Sequence, residues 1–326
     1  MQCPMKYVRD FLQGTDYNTD YARYLTLGAV LISQKERIKN SDEHLLRTVY
    51  QCVGLWYELS KVGGPEKRIR YIKICSLLTN LLDFLKETRV SDLQKVIDCE
   101  SETKVLVSMA RRRDLYPGEL LFLAAHWSSE MVLEQAVIDL VIAAEFLKQG
   151  DLESAVIHAR SAPDYITFTT EMLKVLDDFL SVDDFLKLRK DKLGQGVGSP
   201  GIEGARRCAR RLDKDFEDYL TRNNVKKTDI VLQYVEQYSE NQPAAESDPL
   251  WQLNDLLEEI NLALKIWGLA HADLAEHKLP PGYTGVAGMT PQALRERAQV
   301  PVLMRTWLSF DKAREMLVKL LAKKIA

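Results

Sequence analysis

The chain is poor in the residues that build metal and redox centres. Its 326 residues hold five histidines, His44, His126, His158, His271 and His277, and no HExxH pair. A zinc site wants two or three histidines close together with carboxylates, so none is indicated. His271 and His277 are six apart and fall on different sides of a helix. The five cysteines (Cys3, Cys52, Cys75, Cys99, Cys208) are odd in number, scattered and never in CxxC spacing, which predicts reduced thiols and argues against a disulfide framework. No segment approaches 18 uncharged apolar residues, and the start, MQCPMKYVRDFLQG, has no charged leader followed by an apolar stretch and no cleavage signal. A cytoplasmic protein without a membrane span is expected. A net charge of -3 gives no basic field for nucleic acid, and Arg111, Arg112 and Arg113 form too short a cluster to change that. Neither GxGxxG after a strand nor a GxxxxGK[ST] loop occurs, so nucleotide binding is unsupported.

What the chain has is hydrophobic residues, 46% of the total, in a length that can bury a sizeable core. Apolar residues recur at spacings of three and four over 21–34, 44–62, 68–88 and 91–112. The same period predicts helices at 118–149, 151–161, 165–180, 183–192, 201–223, 227–239, 248–278 and 299–324. No alternating strand is found, and the fold class expected is all-α. VGGPEK at 62–67 breaks two helices, and ENQPAAESDP at 240–249 is a polar connector. LGQGVGSPGIEG at 193–204, which contains Gly196 and Gly198, is either a flexible linker or a loop whose glycines let backbone approach a flat ligand. LPPGYTGVAGMTP at 279–291 is a second loop of this kind.

GELLFLAAHWSSE, 118–130, places a histidine inside an apolar run. Phe122 and His126 share a helix face with Ser129 and Glu130. His126 is either a core histidine satisfied by a neighbour or a functional one. Isolated histidines on long helices flanked by glycine loops suit a sandwiched haem, with one histidine as proximal ligand and another on the opposite face.

Four blocks together resemble the tryptophan 2,3-dioxygenase superfamily of haem-dependent aromatic amino acid oxygenases. YARYLTLGAVLISQ is similar to that family's Y-x-x-Y-L-x-L-x-x-L-L-x-x-Q helix, matching at Tyr21, Tyr24, Leu25, Leu27, Leu31 and Gln34. GELLFLAAHWSSE resembles its D-E-M-L-F-x-x-x-H segment, with Phe122 at the phenylalanine and His126 at the distal histidine. LSVDDFLKLRKDKLGQGVGSPG resembles the segment whose aromatic residue and arginine face the substrate carboxylate, here Phe185 and Arg189. WGLAHADLAEHKLPPGYTGVAGM resembles W-x-x-x-H followed by a glycine loop, with Trp267 beside the haem, His271 as proximal ligand, and Thr284, Gly285 and Gly288 in the loop. His126 and Arg189 lie 63 positions apart, close to the family's separation, and GDLESA at 150–155 falls where the family turns between helices.

The resemblance implies one helical domain over 1–326, a bundle enclosing a haem pocket, with a helical insertion at about 61–117, where the family has a short connection. DEHLLRTVYQCVGLWYEL at 42–59 is a rival match to the distal block and would put Tyr50 in the histidine's place. His126 preserves the downstream spacing. The chain from Arg189 to His271 is shorter than in typical members, and GYTGVAGM keeps only the threonine and some glycines of the loop. By resemblance, the cofactor is haem b and the substrates are O2 and an aromatic L-amino acid. Tryptophan or a substituted tryptophan comes first, with ring cleavage or oxygen insertion as the reaction. A haem-dependent hydroxylase of tyrosine or a substituted tyrosine is the first alternative, and a haem-free helical interaction scaffold the second. Tyr21, Tyr24 and Leu25 would then cover a neighbouring subunit's pocket, implying a homo-oligomer, a dimer or tetramer. Phe122, Phe185 and Leu121 would form an apolar slot for the ring.

Overall fold

A computed structural model describes residues 117–190, 199–239, 248–284 and 288–325. The 61–116 part of the expected insertion and Tyr50 lie outside these residues. The regular elements among the described residues are helices: α1 (Pro117–Gln149), α2 (Leu152–Ala159), α3 (Ala162–Phe179), α4 (Val182–Leu188), α5 (Pro200–Arg222), α6 (Lys227–Ser239), α7 (Pro249–Lys278), α8 (Pro291–Gln299) and α9 (Met304–Ile325). The all-α expectation holds there, and none of these helices is long and apolar enough to cross a membrane.

Local chemistry sets the boundaries. Gly150 takes φ +84°, and the amides of Gly150 and Asp151 close on the carbonyls of Leu147 and Phe146 at 3.1 and 3.0 Å. This glycine-terminated cap ends α1. Asp151 then caps α2 by accepting from the Ser154 amide at 3.0 Å. Ser181 does the same for α4 through the Asp184 amide at 3.1 Å, and Asp183 and Asp184 place negative charge in that helix's first turn. One helix was not anticipated. PQALRERAQ has few apolar residues to show a period, yet it forms α8, with Pro291 at the position where a missing amide hydrogen costs nothing. The chain then breaks at Pro301 before α9. The amides of Val302 and Leu303, at the start of α9, are satisfied by the buried Asn261 side chain at 2.9 and 3.1 Å.

The described residues belong to two compact units. The first takes the start of α1 to Val132, α3 from Glu171 through Pro200, and Asp273–Pro291. Leu121, Phe122, Ala125 and Val132 of α1 are buried in it, as are Met172, Leu176, Leu180 and Leu188. The end of α7 is tied to the end of α3: His277 Nδ1 lies 2.7 Å from Asp177 Oδ2, and Lys278 Nζ donates to the Asp177 carbonyl.

The second unit holds Leu133–Thr170, Gly201–Ala272 and Gln292 onward. Leu133, Ala136, Leu140, Ala143 and Leu147 of α1 are buried there at helical spacing. So are Ala205, Ala209, Leu212, Phe216 and Leu220 of α5, while Arg207, Arg210, Arg211 and Lys214 stay exposed. That pattern is the amphipathic stripe a surface helix needs. Leu253, Leu257, Ile260 and Leu264 form the buried face of α7.

Candidate functional site

In the first unit the structure assembles one polar pairing from residues 95 positions apart. Helix α4 packs on the first turn of α1: a methyl group added at Gly118 would meet Asp184 Cβ at 2.5 Å, so only glycine allows the approach. Leu188 is fully buried and anchors the end of α4, and Arg189 follows it directly. On the other side, Pro280–Pro281–Gly282–Tyr283 makes a tight turn, with the Tyr283 amide 3.1 Å from the Pro280 carbonyl and Gly282 at φ +84°. Proline at the second position and a left-handed glycine at the third are the residues such a turn requires. The turn carries the chain into Thr284, whose carbonyl accepts a hydrogen bond from Arg189 Nη2. Arg189 Nη1 is buried and has no hydrogen-bond partner among the described residues.

His126 sits in the same unit. Its Nδ1 is 3.1 Å from the Phe122 carbonyl, and its ring lies 4.0 Å from the Phe122 ring at 32°. A carbonyl only accepts, so Nδ1 is the donor in that contact. Ser199 donates to Glu130 Oε1, tying the start of α5 to α1. Glu119 is 1% exposed, and its Oε1 is without a hydrogen-bond partner among the described residues.

His271 belongs to the second unit. It stacks on Trp267, one turn back on α7, with centroids 5.2 Å apart and planes at 23°. Arg206 of α5 lies over the Trp267 ring at 5.3 Å. Burial, then the Arg206 charge, lower the His271 pKa from 6.5 to about 4, so the imidazole is neutral at ordinary pH. Among the described residues it makes no side-chain hydrogen bond. A partly buried, neutral imidazole whose ring nitrogens make no hydrogen bond among the described residues is a donor that a haem iron would take, so His271 would suit that role. No set of three His, Cys, Asp or Glu side chains gathers as metal ligands among the described residues.

Of the residues singled out in the sequence, Phe122, His126, Phe185, Arg189 and Thr284 fall in the first unit, and Trp267 and His271 in the second. Among the described residues the structure pairs Arg189 with Thr284, Phe122 with His126, and Trp267 with His271. The Thr284 side chain is exposed, and it is the carbonyl that meets Arg189. Gly288 has φ +74° and is exposed. Tyr21, Tyr24, Leu25, Gly196, Gly198 and Gly285 lie outside the described residues. Sequence reasoning passed over Arg206. Its place in an arginine-rich amphipathic helix reads as a solvated charge, and only the packing of α5 against Trp267 distinguishes it from Arg207 and Arg210. No family model, curated protein or solved structure matches this chain.

Proposed function

We propose that this chain is a haem-dependent oxygenase of an aromatic L-amino acid, tryptophan or a substituted tryptophan first, with a tryptophan 2,3-dioxygenase-like bundle, haem b and O2. The observation that carries the reading is the Arg189–Thr284 pairing. It spends one side of the guanidinium on a carbonyl and leaves Nη1 buried without an acceptor. A buried, unsatisfied N–H is costly, and a substrate carboxylate would satisfy it with a charge-assisted hydrogen bond. The order of the four sequence blocks and the neutral state of His271 support the same reading.

His271 would hold the haem iron, and Trp267 would fix the plane of its ring. Bound haem supplies the iron at which O2 is activated for insertion into an aromatic ring. The remaining steps fall to side chains. Arg189 binds and orients the amino acid through its carboxylate, while Phe122 and Phe185 offer apolar faces to the ring. His126, whose Nδ1 lies 3.1 Å from the Phe122 carbonyl, holds or returns a proton. Tyr21, Tyr24 and Leu25 complete the pocket of a second copy in a homo-oligomer.

The test is an absorption spectrum of the protein with haem supplied, ferric and ferrous, for the parent and His271→Ala. A Soret band present in the parent and absent from the folded variant is expected. Turnover of tryptophan, tyrosine and tryptophan methyl ester under O2 follows. The ester, which lacks the carboxylate, should not react, and a preference for tyrosine would move the reading to ring hydroxylation. A folded, colourless parent overturns the oxygenase.

A further inference from the structure

Arg206 is a partly buried cation that forms no ion pair among the described residues, although the Glu203 carboxylate acts on it from one turn back on α5. Its Nε is buried and unpartnered, and among the described residues its guanidinium makes no hydrogen bond or ion pair. Trp267 covers one of its faces at 5.3 Å. Helix α8 approaches α7 closely at Gly268, where an added methyl group would lie 2.7 Å from Ala298 Cβ and 4.0 Å from Arg206 Nη2. This packing brings Arg297, the neighbour of Ala298, into the field of Arg206. Burial is what chiefly makes the protonated state of Arg206 harder to hold; Glu203 counters it without forming an ion pair, and the charges of Arg297 and of Arg210, one turn further along α5, add to it.

A guanidinium drawn out of water beside two like charges is unfavourable unless an anion joins it. A planar fork with a free Nε–H matches the two oxygens of a carboxylate or phosphate, and the indole beneath presents a flat apolar face beside it. We propose that Arg206, stacked on Trp267 and flanked by Arg210 and Arg297, is a binding site for the oxyanion group of a small-molecule ligand, a carboxylate or a phosphate. The site lies wholly within the second unit and stands whether or not His271 holds haem.

Trp267 is the reporter. The full chain, without added haem, is titrated with inorganic phosphate and separately with benzoate, chloride holding the ionic strength constant. The Trp267 emission is taken as the difference between the parent and Trp267→Phe. A saturable change with one or both anions is expected, and the tighter one assigns the ligand class. Arg206→Gln should raise the half-saturation concentration by about tenfold or more, the worth of a charged hydrogen bond. Arg297→Gln should raise it about threefold through the lost field. No saturable change with either anion, or the same titration in Arg206→Gln as in the parent, overturns the site. Should Arg206→Gln fail to fold, an unaltered titration in Arg297→Gln, whose side chain is exposed, overturns it equally.

Discussion

Lys227 and Arg206 both belong to the second unit and both are drawn out of water, yet their surroundings are opposite. Lys227 is 4% exposed and meets Asp213, itself 6% exposed. Its Nζ also donates to Thr306 Oγ1 at 2.9 Å, and Thr306 donates in turn to Asp213 at 2.6 Å. Phe216 lies 5.2 Å away against its ammonium group. Burial pushes the Lys227 pKa down while the Asp213 charge and hydrogen bond push it back up, so the cation is held by its own chain. Three helices, α5, α6 and α9, are joined by that one cluster. Arg206 has two cations near it, a Glu203 that forms no ion pair with it, and an Nε without a partner among the described residues. A closed polar network is a structural joint, whereas an open one leaves a place for something from outside the chain. Arg189 in the first unit, with Nη1 open, belongs with Arg206.

The comparison breaks first at Lys227. Lys227→Met strands a buried Asp213 carboxylate and should destabilise the fold by about 3–5 kcal/mol, read from chemical denaturation. The Lys227→Met, Asp213→Leu double variant should recover much of that loss, because no lone charge remains. A loss below about 1 kcal/mol in the single variant would mean the cluster behaves as a surface pair.

A smaller effect comes from acid. The His271 pKa falls from its ordinary 6.5 to about 4 in the fold, so the unfolded chain binds the proton more readily than the folded one. The corresponding stability is complete above pH 6.5 and is lost as pH falls toward 4. For the haem-free protein that loss amounts to about 2–3 kcal/mol. Denaturation midpoints for the parent and His271→Gln over this range check it, and the variant should lack that part of the acid dependence. Arg206 contributes to the depression, so its removal should shrink the same loss.

The smallest effect expected is on stability at neutral pH from Arg206→Gln. Removing an unpaired cation from between two others should change the stability by no more than about 0.5 kcal/mol, or raise it slightly. Losses of several kcal/mol would show that Arg206 is a structural joint like Lys227.

Much of the helical scaffold was legible because its determinants are local. Apolar spacing marks α1, α5 and α7, and the caps that Gly150, Asp151 and Ser181 make in the structure are local too. Helix α8 escaped notice because its short polar sequence carries no period. His126 stands out in the sequence as a histidine in an apolar run, and in the structure its Nδ1 meets the Phe122 carbonyl one turn away on its own helix. Arg189 and Thr284 were named from a resemblance, but nothing within either segment says that they meet. Arg206 and Lys227 gave no signal, because a basic residue on an amphipathic helix looks alike whether it ends in water or in a core.

What the amino-acid order determined by itself is the helical class and most of the element boundaries, since backbone hydrogen bonds, caps and glycine turns are made within a few residues. The fate of each charge was decided by tertiary structure. Lys227 and Thr306 are 79 positions apart, and Arg189 and Thr284 are 95 apart. Whether such groups meet depends on how helices pack, and that packing closes the network around Lys227 while leaving Arg189 and Arg206 with donors open.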